Sequence, residues 1–151
     1  MRDEPAESNA AIVARLRAVA AEVPVMQFIG GEVLDFDRDR QAVTMSYQAT
    51  PQMCHSKVIV QGGLITAMLD SAMAYACMGC FAARVAVPTL EIKVSFLKAG
   101  NPGAMIAKAR AVHLGKSVGF LEASLYQHDH LIATASSTIR LIQLTGSQGK
   151  S

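Results

Sequence analysis

The sequence predicts an α+β domain in which a curved antiparallel sheet of about six strands wraps around one long central helix, with an additional helix at the N-terminus. Three observations lead there. The run from Gly62 to Ala83 is apolar on most of its circumference, with Leu64, Ile65, Met68, Leu69, Ala72, Met73 and Ala76 spread around it, so this helix must be enclosed rather than laid on a surface. The segments on either side of it alternate with a period of two, the mark of half-buried strands. The order of elements is helix, two strands, long helix, four strands, with no internal repeat or interdomain linker.

Taken in order, "SNAAIVARLRAVAAEVP" (8–24) reads as the first helix, with Ser8 or Asn9 as N-cap and Pro24 at its end. "VMQFIGGEVLDFD" and "QAVTMSYQA" read as a strand hairpin around the polar turn Asp37–Arg38–Asp39–Arg40, with Gly30–Gly31 as a bulge. Residues 50–60 form a loop opened by Pro51. After the long helix, "VPTLEIKVSFLKA" places Leu90, Ile92, Val94 and Phe96 on one face and Thr89, Glu91, Lys93 and Ser95 on the other. Asn101–Pro102–Gly103, Leu114–Gly115–Lys116 and His128–Asp129–His130 are turns separating three more strands, and the strands after the helix read as an antiparallel meander. The domain division is 1–25 for the N-terminal helical segment, 26–142 for the main domain and 143–151 for a disordered tail rich in Gly, Ser and Gln.

Composition excludes several classes. Residues 1–50 carry eight acids and five bases, and residues 51–151 four acids and nine bases, so the halves (−3 and +5) sum to the net +2. A mildly basic later half suits an anionic small ligand. Basic clusters interleaved with aromatics are missing, there is no Trp, and aromatics make up 5%, which argues against nucleic acid. The opening "MRDEPAESNA" has acids where a secretion signal needs bases, so cytoplasmic localisation is the expectation. Three cysteines do not make a disulfide framework, and Cys77-x-x-Cys80 lacks the further ligands of a zinc site; both read as reduced, packed thiols, and no metal is expected. Gly62–Ala83 has membrane-spanning length, but Asp70 at mid-span would cost about 2.5–3.5 kcal/mol there, and the run reads as a core helix.

Asp70 is the one formal charge between Lys57 and Arg84, and its apolar flanks give no reason for it. A structural carboxylate would need donors, and so would a catalytic one. Eight residues earlier, Gly62 and Gly63 stand where the helix begins, and unpaired backbone N–H groups and the positive dipole end converge there. Glycine also allows close approach of a substrate carbonyl, so the pair outlines an oxyanion hole.

"QGGLITAMLDSAMAYACM", "VPTLEIKVSFLKAG", "HLGKSVGFLEASLYQ" and "LIATASSTIRLI" together resemble the hot-dog-fold acyl-CoA thioesterases, in the PaaI-like branch associated with phenylacetate degradation, over residues 26–142. The resemblance implies a hot-dog fold and hydrolysis of an acyl-CoA to a carboxylic acid and free coenzyme A, with coenzyme A as part of the substrate and no separate cofactor. It implies the amide of Gly62 as oxyanion donor, with that of Gly63 as a second candidate, and Asp70 as nucleophile or general base. Thr89 stands where a Ser or Thr hydroxyl supports the carboxylate or the water. Two positions depart from the branch: Gln61 replaces the usual His before Gly-Gly, and His55 replaces the usual Asn, where it could orient the water or act as a base. Lys116 is the candidate contact for a coenzyme A phosphate, with Lys93, Lys98, Lys108 and Arg110 as weaker ones. Gly62 and Asp70 lie about 12 Å apart along a helix axis, so one thioester cannot reach both in one chain. A homo-oligomer is therefore expected, a dimer or dimer of dimers, with sites shared between antiparallel helices of two chains. The alternative is a non-catalytic acyl-CoA or fatty-ligand binder in which Gln61 and His55 have abolished turnover. A hot-dog hydratase is disfavoured, because no His and acid pair is placed for it along the helix.

Overall fold

The computed structural model of the protein describes residues 6–145. Helix α1 (Asn9–Ala21) begins where a hydroxyl can cap it: Ser8 Oγ accepts from the Ala11 N–H at 3.2 Å. Ile12, Leu16 and Ala20, four apart, form its buried stripe. Pro24 does more than end that helix. It occupies the first turn of a second one, α2 (Pro24–Phe28), where its missing N–H costs nothing. The segment from Val25 is therefore helical, and the first strand starts only at Glu32. Gly30–Gly31, expected as a bulge, instead terminates α2: Gly30 has φ +60°, its N–H donates to the Gln27 carbonyl at 3.3 Å, and Gly31 N–H donates to the Met26 carbonyl at 2.8 Å.

Strands β1 (Glu32–Asp37) and β2 (Ala42–Ala49) pair antiparallel across the expected polar turn. The bulge lies at Leu34, where the register shifts between Val33 and Asp35. That extra residue lets Val33 and Phe36, three apart, both face the core. A single 3-10 turn (Pro51–Met53) and a loop closed by a Cys54–Val60 bridge lead to α3 (Gly62–Gly79). After it come β3 (Val85–Ala86), β4 (Thr89–Phe96), β5 (Gly103–Leu114), β6 (Val118–Gln127), β7 (His130–Arg140) and β8 (Ile142–Gln143).

The six-stranded sheet has the order β1-β2-β5-β6-β7-β4 with every neighbour antiparallel, and β3 and β8 form a separate ribbon. Only β5, β6 and β7 make a meander. Strand β4 pairs with β7 at the far edge, because β5 is taken along its length by β2, from Ala42 opposite Arg110 to Ala49 opposite Gly103. Gln143, assigned above to the tail, pairs with Val85, while residues 146–151 of that tail lie outside the described residues.

The sheet can curl closely around α3 because small residues line the centre of its inner face, with larger ones such as Met45, Met105, Leu121 and Leu125 around them. Ala109, Ala123 and Ala135 stand directly opposite one another across β5, β6 and β7, and Met68, Leu69 and Met73 of α3 are fully buried in the core with them. Each such large side chain contributes about 1.5–3 kcal/mol on burial. Enclosure is incomplete, however. Gly63 is exposed and Ala67, Asp70 and Ala74 are only partly covered, and their spacing makes one open stripe along α3.

The two sheet edges differ. α1 covers that of β1, with Arg17 Nε donating to the Val33 carbonyl at 2.8 Å. Strand β4 has nothing on its outer edge among the described residues. Although alternation predicted a half-buried strand, only Ile92 and Val94 are partly covered, while Leu90 and Phe96 are 59% and 54% exposed.

Candidate active site

Asp70 lies on the open stripe of α3, partly buried, and its Oδ1 accepts a hydrogen bond from Thr89 Oγ1 at 2.7 Å. Strict alternation would turn Thr89 away from α3, onto the face of Glu91 and Lys93. A bulge at Leu90 corrects this: Thr89 stands opposite Ile139 and Glu91 opposite Thr138, so the register slips by one between them. Thr89 thereby joins Ile92, Val94 and Phe96 on the inner face, and its hydroxyl reaches the carboxylate.

The other half of the candidate chemistry is the start of α3. Gln61 is its N-cap, but the Gln61 side chain makes no capping bond, and no acid lies in the first turn. The N–H groups of Gly62 and Gly63 are thus left without a side-chain acceptor, and the positive end of the helix dipole is not neutralised. Gln61 is exposed and anchored by its backbone, whose N–H donates to the Met53 carbonyl at 2.8 Å.

Gly62 lies in the wall of a cleft of about 360 Å³ completed by His55, Ile59, Val60, Ile65, Phe96, Leu97, Lys98, Ala99 and Gly100. The Phe96 ring lies so near that a Cβ on Gly62 would meet its Cζ at 3.2 Å. The cleft is mostly apolar, with His55 and Lys98 as its titratable groups.

The structure thus brings Gly62 and His55 together, and separately Asp70 and Thr89. It does not bring Asp70 to the cleft of its own chain. Lys116 is exposed in the β5–β6 turn and does not line the cleft. Lys93, Lys108 and Arg110 lie on the sheet face away from α3, where Arg110 Nε is engaged by Glu122 at 2.6 Å and Lys108 Nζ sits 5.8 Å from the Tyr126 ring centre. Of the weaker phosphate candidates only Lys98 reaches the cleft.

Behind Asp70, Tyr47 Oη lies 3.3 Å from Ser71 Oγ, which itself donates to the Ala67 carbonyl at 2.6 Å. Burial raises the Tyr47 phenol well above its usual range, with smaller upward contributions from Tyr75 and Asp70. Two features escaped sequence reasoning. Phe96 was legible as an inward apolar residue but not as the neighbour of Gly62, and Tyr47 carries no sequence signal at all. The thiols pack as expected: Cys77 is buried, and Cys80 Sγ donates to the Ala76 carbonyl at 3.2 Å. Among the described residues no helix is long and apolar enough to cross a membrane.

Comparison with known proteins agrees with this architecture. The thioesterase superfamily model matches residues 59–134, half of the chain, from the loop before α3 into β7. The phenylacetic acid degradation-related protein of Ralstonia eutropha JMP134 is 28% identical, over 85% of this chain and 98% of its own, with a TM-score of 0.78. The PaaI protein of the Escherichia coli phenylacetic acid degradation operon has the same TM-score of 0.78 at 20% identity, over 92% of this chain and 98% of its own. A thioesterase family protein from Silicibacter pomeroyi gives 0.78 at 23%, over 87% and 98%. At those lower identities the likeness concerns the fold. No curated protein matches the chain. With six strands curled around α3 and the family's sequence pattern spanning that helix and the strands after it, the chain belongs to the thioesterase superfamily and has its hot-dog fold, similar to that of the PaaI-like thioesterases.

Proposed function

We propose that the protein hydrolyses an acyl-CoA thioester in a site assembled from two copies of the chain, Asp70 coming from one and the Gly62 amide from the other. The carrying observation is the placement of both halves along β4. Asp70 is tied to its first residue, Thr89, and Gly62 packs against its last, Phe96. Strand β4 is the uncovered edge of the sheet. Pairing that edge antiparallel with the same edge of a second copy, about a two-fold axis near Ile92, exchanges the strand ends, so Thr89 and Asp70 of one copy approach Phe96 and Gly62 of the other. The open stripe Gly63–Ala67–Asp70–Ala74 then faces its counterpart.

In such a site the thioester carbonyl oxygen takes the Gly62 N–H, with Gly63 as second donor, and negative charge developing on that oxygen is stabilised at the helix start. Asp70 takes a proton from water as the water oxygen attacks the carbonyl carbon, or attacks that carbon itself to form an anhydride that water then opens. In either course the carbon–sulfur bond breaks and the coenzyme A thiolate leaves, to be protonated to the free thiol. Thr89 holds the Asp70 carboxylate in one orientation, and His55, at the rim of the cleft, orients the water. Lys98 supplies the cleft with positive charge toward an anionic substrate, and Lys116 is a more distant contact for the nucleotide.

Release of free thiol from a panel of acyl-CoA substrates tests the reading. Asp70→Asn keeps the shape of the side chain and removes the base, so turnover should fall by at least ~10²-fold with the fold unchanged. Turnover that survives the substitution removes Asp70 from the chemistry; tight acyl-CoA binding without thiol release from the parent makes the protein a binder.

A further inference from the structure

Beyond α3 and the Phe96 ring at the end of β4, the cleft beside Gly62 is closed by two irregular segments that face each other. One is the segment 54–60, which carries His55; the other is the connection 97–102 between β4 and β5. The two are joined by a pair of hydrogen bonds: Asn101 Nδ2 donates to the Val58 carbonyl at 2.6 Å, and Val60 N–H donates to the Gly100 carbonyl at 2.8 Å.

What holds the second segment to the sheet is a buried amide. Gln127, the last residue of β6, is 6% exposed and is one of two polar side chains in the core among the described residues. Its Oε1 accepts from the Asn101 N–H at 2.9 Å, and its Nε2 donates to the Asn101 carbonyl at 2.7 Å. Both ends of the amide are used on the backbone of one residue. An amide paired in this way fixes position and orientation together, as a strand neighbour would, at a place where the connection has no strand neighbour to do so. The side chain of that same residue then reaches Val58. Gln127, Asn101 and Val58 therefore form one chain of contacts from β6 to the loop of His55.

We propose that Gln127 is a positioning residue for the cleft: through Asn101 it sets the separation of the two segments, and so places His55 and the 97–100 segment against Gly62 and the Phe96 ring. This rests on the reading of the cleft as part of an acyl-CoA site. Gln127 touches no substrate, and the Gly62 amide, fixed by α3, and Asp70 with Thr89 both lie outside the network, so loss of the amide should act mainly on substrate binding through the cleft walls and only secondarily on the chemical step, through the water that His55 orients.

Two substitutions probe the contacts from different ends. Gln127→Met keeps the length of the side chain and removes both bonds; Asn101→Ala removes the bond to Val58 and leaves the Gln127 pair intact, since that pair uses only backbone. Each should raise KM for an acyl-CoA by roughly 5- to 20-fold with kcat changed less than about 3-fold. The double variant should be no more than about 2-fold worse than the worse single one, because both cut the same connection. Hydrogen exchange at the Val60 and Asn101 amides should accelerate in Gln127→Met while the amides of α3 keep the parent's protection. Unchanged KM in both folded variants, or multiplied effects in the double variant, would overturn the proposal. If the parent releases no thiol, the hydrolase reading fails, and the exchange comparison still decides whether Gln127 sets the walls; unaltered exchange at Val60 in Gln127→Met, or in Asn101→Ala should Gln127→Met fail to fold, counts against it.

Discussion

At the scale of single residues, the site depends on one leucine too many. Leu90 occupies a bulge that turns Thr89 toward α3, and the Thr89 hydroxyl then holds Asp70 at 2.7 Å. A hydrogen bond to a charged group contributes about 1.5–3 kcal/mol when shielded, and Thr89 is exposed in the single chain, so the lower end applies. Thr89→Val keeps the branched shape and should lower kcat by roughly 5- to 30-fold, with no further loss when added to Asp70→Asn. Steady-state thiol release from the single and double variants measures this.

Two buried phenols make a second comparison. Tyr47 shares its hydroxyl with Ser71, whereas Tyr75, 3% exposed, has no hydrogen-bond partner for its own among the described residues, and burial raises its phenol above the usual range. Removing a paired hydroxyl costs about 1 kcal/mol, while removing an unpaired one is neutral or favourable. Urea midpoints should therefore drop for Tyr47→Phe and hold or rise for Tyr75→Phe. Equal losses would mean that the Tyr75 hydroxyl is satisfied.

At the scale of elements, α3 is a core helix with one face left open, and its C-terminal end carries a pH dependence. Burial pushes the Cys77 thiol up to about 12, from about 9, with a smaller push from Cys80, and burial pushes Cys80 itself up to about 11. Above pH 9 the unfolded chain has lost thiol protons that the native state still binds. Fewer protons on the unfolded state mean that stability falls as pH rises, by up to about 1.4 kcal/mol per unit for each thiol, and is fully present below pH 9. Urea midpoints at pH 8 and pH 9.5, below the range where Tyr47 and Tyr75 add their own dependence, should show a decline that is shallower in Cys77→Ala. A pH-independent parent would mean that water reaches these thiols.

For the whole molecule, the question is what meets the free edge of β4. Asp70→Asn and Gly62→Pro each remove one half of the proposed site, and each homodimer should be nearly inactive. Refolded together in equal amounts, about half the dimers are mixed, and each mixed dimer has one site with both defects and one with neither. Activity should return to roughly a quarter of the parent's, one intact site in four. Mixed dimers verified by mass spectrometry yet inactive would show that Gly62 and Asp70 of a single chain serve one site.

Much of this was legible in the sequence because it depends on local rules. An apolar 18-residue helix, α3, with glycines at its start and one acid inside needs a surrounding sheet, and strand alternation together with turn residues located five of the six long strands to within a few residues. A cap at Ser8 or Asn9, of which the structure uses Ser8, and the free thiols follow from residue type. What needed the tertiary structure was decided by competition between neighbours. Val25–Phe28 is helical because Pro24 starts a turn that Gly30 can close, against the strand propensity of its side chains. Strand β4 goes to the edge because β2 already holds β5. Leu90 bulges, and the face Thr89 presents is reversed, because pairing with β7 slips by one residue, which no alternation pattern records. The meeting of Phe96 with Gly62, and of Gln127 with Asn101, joins residues 34 and 26 positions apart through the close packing of separate elements, and side-chain identity by itself holds no information about such distances.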